Sequence, residues 1–293
     1  AEMNILLTGA SGFVGRNIHA ALRAGGHRVR SVSRSEGCDF AQLCQPNDWL
    51  PLLEGVNAVI NCVGIIGEQG SQRFDTLHTD APKALFNACA AVGVRRVIQI
   101  SALGADASAF SAYHLSKLAA DDHLRSLDLD WWVLRPSLIY GKGGSSAEQF
   151  LRLARGPLIP LLQRGQQQLQ PVHISDLVAC VLRALTANNS QQTVDIASHE
   201  RVTFAAWLQR MRPAQGLGRG RELHIPLWLA LLAMRLGQPF NPMARVENLR
   251  MLQRGYDADG WPVEQFLGRP LLAWAPELFF TDANTEHLAG RAA

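Results

Sequence analysis

Tyr113 and Lys117 stand four residues apart, and on a helix that spacing puts a phenol and an ammonium on one face. Positive charge stabilises a phenolate, so Lys117 would draw the Tyr113 pKa down from about 10 toward working pH. A phenol tuned in this way can give a proton to a carbonyl oxygen or take one from a carbinol, while a nicotinamide carries the hydride. A second segment, Thr8-Gly9-Ala10-Ser11-Gly12-Phe13-Val14-Gly15, suits binding of such a carrier. It comes after the apolar run Asn4-Ile5-Leu6-Leu7 and opens a helix. Gly9 makes the tight turn, Gly12 leaves the backbone open to a pyrophosphate, and Gly15 lets the helix pack on the strand. The unpaired amides at the helix start then face the diphosphate.

These groups need a scaffold, and the first half of the chain alternates strand and helix. A helix over 17–24 ends at Gly25-Gly26, and 28–33 reads as the second strand. The nearly continuous apolar run 56–62 reads as a strand buried on both faces. A helix spans 81–92, with Pro82 in its first turn and Gly93 just past its end. A strand over 96–101, a helix over 112–127 and a strand over 131–134, stopped by Pro136, complete the series. This order implies an α/β fold, a Rossmann-type doubly wound parallel sheet with right-handed crossovers. The dinucleotide-binding domain is expected over 1–140. A smaller substrate region covers 141–293, of which about 171–198 returns to the first core.

The residues at the end of the second strand bear on the cofactor. An NAD site usually places a carboxylate there for the ribose hydroxyls, and an NADP site a cation. Here the strand ends Ser33-Arg34-Ser35. Arg34 can offer its guanidinium fork to a 2′-phosphate and the serines can add hydrogen bonds, whereas Glu36 sits farther along the loop. NADP is the expected cofactor, with NAD as the alternative.

The 293 residues are 47% hydrophobic, enough for a sizeable core and against disorder. The net charge of +3 gives no argument for nucleic acid, and no nucleic-acid partner is expected. Positive charge does concentrate between Arg201 and Arg254, where nine arginines meet only Glu222 and Glu247. Five cysteines without Cys-x-x-Cys or Cys/His spacing predict neither disulfide nor metal site, and suit a reduced, cytoplasmic setting. With the glycine motif so near the first residue, no leader peptide is expected. The apolar stretch 225–236 is too short to span a bilayer, which takes about 20 residues. It reads as a core helix. The alternative is peripheral contact with an inner membrane, with Arg235, Arg245 and Arg250 on the anionic surface.

Taken in order, these motifs resemble the extended branch of the short-chain dehydrogenase/reductase superfamily, over nearly the whole chain. The glycine pattern, the Tyr-x-x-x-Lys pair, a segment like Leu134-Arg135-Pro136-Ser137-Leu138-Ile139-Tyr140-Gly141 and one like Pro171-Val172-His173-Ile174-Ser175-Asp176-Leu177-Val178 recur there in this sequence. The resemblance implies that Asp39, with Phe40 beside it, meets the adenine ring. It implies that Asn61, Cys62, Val63 and Gly64 line the cofactor, and that Lys117 also holds the nicotinamide ribose. The backbone after Pro136, at Ser137 and Leu138, would approach the carboxamide. His173 is a conceivable acid or base, though the family pattern gives it a supporting role.

One position departs from the pattern. Extended members carry Ser-Ser or Ser-Thr before the active tyrosine, the second residue polarising the substrate oxygen. This chain reads Ile100-Ser101-Ala102-Leu103-Gly104, which puts alanine there. Ser101 is the candidate replacement, and Ser108 and Ser111 lie closer to Tyr113. The segment is similar to an atypical subgroup that includes the 39-kilodalton-type accessory subunit of respiratory complex I, whose bacterial relatives are commonly labelled nucleoside-diphosphate-sugar epimerases. Two functions stay open. One is an NADP(H)-dependent oxidoreductase or epimerase-like enzyme using Tyr113 and Lys117 on a small molecule. The other is a catalytically weak NADP(H)-binding structural or sensing protein, associated with a membrane respiratory complex. A sugar nucleotide would need cations such as Arg164, Arg210 and Arg212, whereas an apolar carbonyl would suit Phe150, Leu158 and Trp228. A monomer or a homodimer paired through the Tyr113 helix is expected.

Overall fold

A computed structural model describes residues 1–65, 68, 70, 72–237 and 246–283. The chain divides into two units: Ala1–Pro136 with Leu177–Ile196, and Ser137–Asp176 with Ala197–Ala293.

The first unit is built on six parallel strands, β1 (Asn4–Thr8), β2 (Arg28–Val32), β3 (Ala58–Asn61), β4 (Arg96–Ile100), β5 (Asp130–Pro136) and β6 (Gln192–Ile196). Their spatial order is β6-β5-β4-β3-β1-β2, so the winding reverses between β1 and β3, the point where open α/β sheets bind ligands. The expected doubly wound parallel sheet is therefore present. The inner strands β1, β3, β4 and β5 are largely apolar on both faces because helices cover both, whereas the edge strands β2 and β6 are polar and partly exposed. Leu6, Val59, Val97 and Val133 form one core with Leu85, Phe86 and Cys89 of α2 (Ala81–Val92) and Ala120 and Leu124 of α3 (Ala112–Arg125). The alternate residues Ile5, Leu7, Ile60 and Ile98 are as deeply buried, as are Ile18 and Leu22 of α1 (Phe13–Ala24).

Three differences from expectation bear on the site. Helix α1 begins at Phe13 instead of residue 17, because Gly12 in extended backbone caps it and the end of the glycine motif is its first turn. Strand β5 continues through Pro136. A proline fits at the last ladder position, and its carbonyl accepts the Leu103 N–H at 3.0 Å. Ahead of α2 lies a turn of π-helix, Asp75–Asp80, in which the Ala81 N–H reaches back to the Thr76 carbonyl. Such wide turns are rare and often mark functional sites.

Strand β6 is held by side chains as well as by its ladder. Arg135 pairs with Asp195 at 2.6 Å, and Arg125 donates to the Thr193 hydroxyl at 3.2 Å. Just upstream, Arg96 donates to the carbonyls of Ala184, in the last turn of helix Ile174–Thr186, and of Ala187 and Asn189 beyond it.

The second unit has its own core of Tyr140, Trp207, Met211, Leu278 and Phe279. Short ladders join Ile139–Tyr140 to Val172–His173 and Leu158–Leu162 to Arg221–Ile225. The Asp176 carboxylate, in the first turn of helix Ile174–Thr186, accepts from Arg269 and from the Leu272 N–H, each at 2.8 Å. Core packing accounts for one face of the apolar helix Leu227–Gly237, where Leu227, Ala230, Leu231 and Met234 pack with Leu162 and Leu249, while Trp228 and Leu236 are 67% and 69% exposed. No helix among the described residues is long and apolar enough to cross a membrane. Arg245 lies outside the described residues.

Candidate active site

The turn after β1 is shaped by what its glycines exclude. Gly9 adopts φ +67°, and a Cβ there would sit 2.8 Å from the Cys62 carbonyl carbon and the Val63 nitrogen. A Cβ on Gly15 would overlap the Gly9 oxygen at 1.9 Å. Gly12 is different, since a Cβ there would meet only the Gly9 oxygen, at 3.5 Å. Its bare backbone borders open space at a helix start that no side chain caps. This is the cradle a diphosphate needs.

That cradle opens into a cleft of about 380 Å³ at the β1/β3 switch point. Gly9, Ser11, Gly12, Ser33, Arg34, Asp39, Phe40, Cys62, Val63 and Gly64 all line it, as ten of the sequence-derived candidates. Arg34 is exposed and on the wall, and Glu36 is not on it. Ser33 is buried with its hydroxyl 3.0 Å from that of Ser35. One Asp39 oxygen accepts the Ala41 N–H at 3.0 Å, fixing the turn that presents Phe40. Thr8 and Asn61 lie behind the cleft, hydrogen-bonded to each other, while Phe13, Val14 and Gly15 form the first turn of α1. Pro136 ends β5. Ser137 and Leu138 belong to the second unit, where the Ser137 hydroxyl bonds the Gln170 carbonyl and Leu138 packs in the core.

Helix α3 carries the candidate pair Tyr113 and Lys117. It starts where the Ser111 hydroxyl accepts the His114 N–H at 3.0 Å. Lys117 Nζ stands 5.6 Å from the centre of the Tyr113 ring, one turn away. Lys117 is buried, and burial pushes its pKa down while Asp121 and Cys62 oppose the shift. Gly64 lies against the Lys117 ammonium, since a Cβ there would come within 3.3 Å of Nζ. The Cys62 thiol is pushed up to about 12 by burial, with Lys117 pulling the other way.

His78, from the π-turn, was not apparent as a site residue from sequence. Its Nε2 accepts the Ile65 N–H at 3.0 Å, which leaves the proton on Nδ1, 2.9 Å from the Ser116 hydroxyl. Burial and then Lys117 hold its pKa well below the usual histidine value. The neutral ring stands edge-on to Tyr113 at 5.5 Å, with Phe74 stacked behind it.

The hydroxyls named as replacements for the polarising group are engaged elsewhere. Ser101 donates to the buried Asp121 carboxylate, Ser108 to Asp106 at 2.6 Å, and Ser111 caps α3 beside the His114 ring. Ala102 is buried. His173 is wholly buried: its Nδ1 is 2.8 Å from the Ser175 hydroxyl and its Nε2 is 3.1 Å from the Leu278 carbonyl, as a structural histidine would be. Two of the candidate diphosphate cations are likewise committed, Arg210 to Glu200 and the Trp274 ring, Arg212 to the carbonyls of Ala154, Gly156 and Gly218. Arg164 does border a glutamine-rich cavity of about 770 Å³ in the second unit. Phe150 lines a separate apolar cleft of about 870 Å³ there, while Leu158 and Trp228 are exposed and off its wall.

A sheet of this order, with a glycine cradle at its switch point, defines a Rossmann-type nucleotide-binding protein. The chain belongs to the NAD dependent epimerase/dehydratase family, whose model matches residues 5–197. It is 28% identical over 187 residues to a ceramide reductase of Caulobacter vibrioides, a match covering 60% of this chain and 58% of that one. It is 26% identical over 193 residues to mouse NADH dehydrogenase [ubiquinone] 1 alpha subcomplex subunit 9, covering 60% and 51%. The matched stretch thus spans little more than half of either relative. In fold it is similar to the UDP-glucose 4-epimerase of Thermotoga maritima, with TM-score 0.73, 16% identity and coverage of 98% and 99%.

Proposed function

We propose that the chain binds NADP(H) in the first unit's cleft and is an oxidoreductase in which Tyr113 exchanges a proton with the substrate oxygen. The observation that carries this reading is Lys117: a buried lysine whose ammonium is set against Gly64 of the cleft and one turn from Tyr113. A cation so placed fits the hydroxyls of a ribose and favours the phenolate. The bound nicotinamide supplies or accepts the hydride. The chain's part is the proton. Tyr113 donates it to a carbonyl oxygen on reduction and takes it from a carbinol on oxidation, Lys117 stabilises the phenolate between, and His78 and Phe74 fix the ring. With Ala102 in the polarising register, the Tyr113 hydroxyl carries the substrate contact alone. The name of the Caulobacter relative, a ceramide reductase, supports the reductase reading.

Ala102 and the commitment of Ser101 favour a second reading, a nucleotide-binding structural or sensing protein, in keeping with the name of the mouse relative. Deuteride transfer from stereospecifically labelled NADPH into soluble and lipid metabolite extracts, read by mass spectrometry, separates the two. Label that reaches a product with the native protein and not with Tyr113→Phe establishes the reductase. Bound nucleotide without transfer establishes the second reading.

A further inference from the structure

A row of polar side chains crosses the apolar sheet behind the cleft. Thr8, Asn61 and Gln99 occupy the same register on β1, β3 and β4. Each is at most 2% exposed. The donors run one way. The Cys62 N–H reaches the Thr8 hydroxyl at 3.2 Å, Thr8 donates to Asn61 Oδ1, Asn61 Nδ2 to Gln99 Oε1 at 2.6 Å, and Gln99 Nε2 to Asp121 Oδ1 at 3.1 Å. The next residue in the register, Val133 on β5, is apolar, so the row leaves the sheet there for α3. The Ser101 hydroxyl fills the other oxygen of Asp121.

A polar row of this kind weakens a core unless every member is bonded, and an apolar set of equal volume would serve packing as well. Its terminus shows what it is for. Asp121 is one helical turn beyond Lys117, so Tyr113, Lys117 and Asp121 succeed one another at i, i+4, i+8 on one face of α3. Resting on the proposed role of Lys117, we infer that Asp121 is a positioning residue: its carboxylate, held by Gln99 and Ser101, is the buried counter-charge that keeps Lys117 an ammonium beside Tyr113. This also gives Ser101 its purpose, to hold Asp121 instead of substrate.

The other charged or titratable groups around the pair are few. Asp121 is faced by Arg125 on its own helix; Lys117 is faced by Cys62 at the end of β3 and by His78 of the π-turn. Burial pushes both members toward their neutral forms, raising the aspartate and lowering the lysine, and their mutual attraction opposes this on each.

The test needs neither substrate nor cofactor. The lysines are Lys83, Lys117 and Lys142 alone, so protein grown on ε-¹³C-lysine gives three side-chain signals, of which Lys117→Met identifies one. In Asp121→Asn the Lys117 titration midpoint should fall by about one pH unit, the shift a single close counter-charge produces, and Asp121→Glu should restore it. A folded Asp121→Asn protein with an unmoved midpoint overturns the inference. If that variant does not fold, Lys117→Met/Asp121→Leu decides. Coupled charges make the double variant more heat-stable than Asp121→Leu alone, and a double variant no more stable than the single overturns the inference. Failure to transfer deuteride would sink the reductase reading and leave this one standing.

Discussion

Tyr113 and Tyr140 carry the same phenol in opposite surroundings. Tyr113 is half-buried and faces the Lys117 ammonium, with neutral His78 at its edge. Tyr140 is 2% exposed, boxed by the rings of His173, Trp207 and Phe279. Burial, then the Asp176 and Glu200 carboxylates, push its pKa well above the ordinary value, against a smaller pull from Arg210. In the proposed function the first tyrosine exchanges a proton, whereas the surroundings of the second hold its proton in place. Both fall within segments that resemble family motifs, so what distinguishes them is the charge within reach.

The contrast between the two tyrosines is open to attack at four strengths. Tyr113→Phe should lower deuteride transfer by about 10²- to 10⁴-fold, the usual worth of a positioned acid or base, while Tyr140→Phe leaves it unchanged. Equal losses would remove the contrast. Asp176→Ala should cost about 2–3 kcal/mol in chemical denaturation, because a carboxylate with no exposure holds Arg269 and the Leu272 amide, yet transfer per folded molecule should stay at the native rate. Arg34→Ala should weaken NADPH binding about tenfold and leave NADH binding unaltered, measured by fluorescence titration. Equal weakening of both would mean the exposed guanidinium meets no 2′-phosphate.

The smallest effect is one of pH. His78 titrates in the fold below its value near 6.5 in an unfolded chain, so between those two values the unfolded state holds more protons. Its contribution to stability is therefore complete above about pH 6.5 and is lost as pH falls below that. His173 and His123 are lowered too and act with the same sign. The melting temperature should fall on acidification, and His78→Asn should flatten that slope by its share. An identical slope would show that His78 is charged in the fold.

Much of this was legible where a pattern repeats. Apolar runs flanked by glycine mark β1, β3 and α2 because a doubly covered strand has no polar face to disguise it, and Tyr113 and Lys117 show through helical spacing. The polar row was not legible, since Thr8, Asn61 and Gln99 are single residues in separate strands, tied by register that no local window contains. Asp121 did carry a signal, its four-residue step from Lys117, which a motif ending at the lysine hides. The π-turn that presents His78 leaves no compositional mark. Ser101 was misleading for a plain reason: a serine at a strand end can donate toward the cleft or toward the helix behind it, and a buried carboxylate wins.

The sixth strand has a consequence for how the first unit comes into being. β5 gains its outer neighbour only when residues 192–196 have been made, after the chain has run through the whole 137–176 excursion. Until then Trp132, Val133 and Leu134 lie on an unpaired edge, a template for any other extended segment. On the ribosome the sheet must wait with that edge open, and a chain cut after residue 140 keeps it open for good. Such a fragment holds the glycine cradle, Tyr113 and Lys117, yet should aggregate, while one that runs past residue 196 can close the sheet.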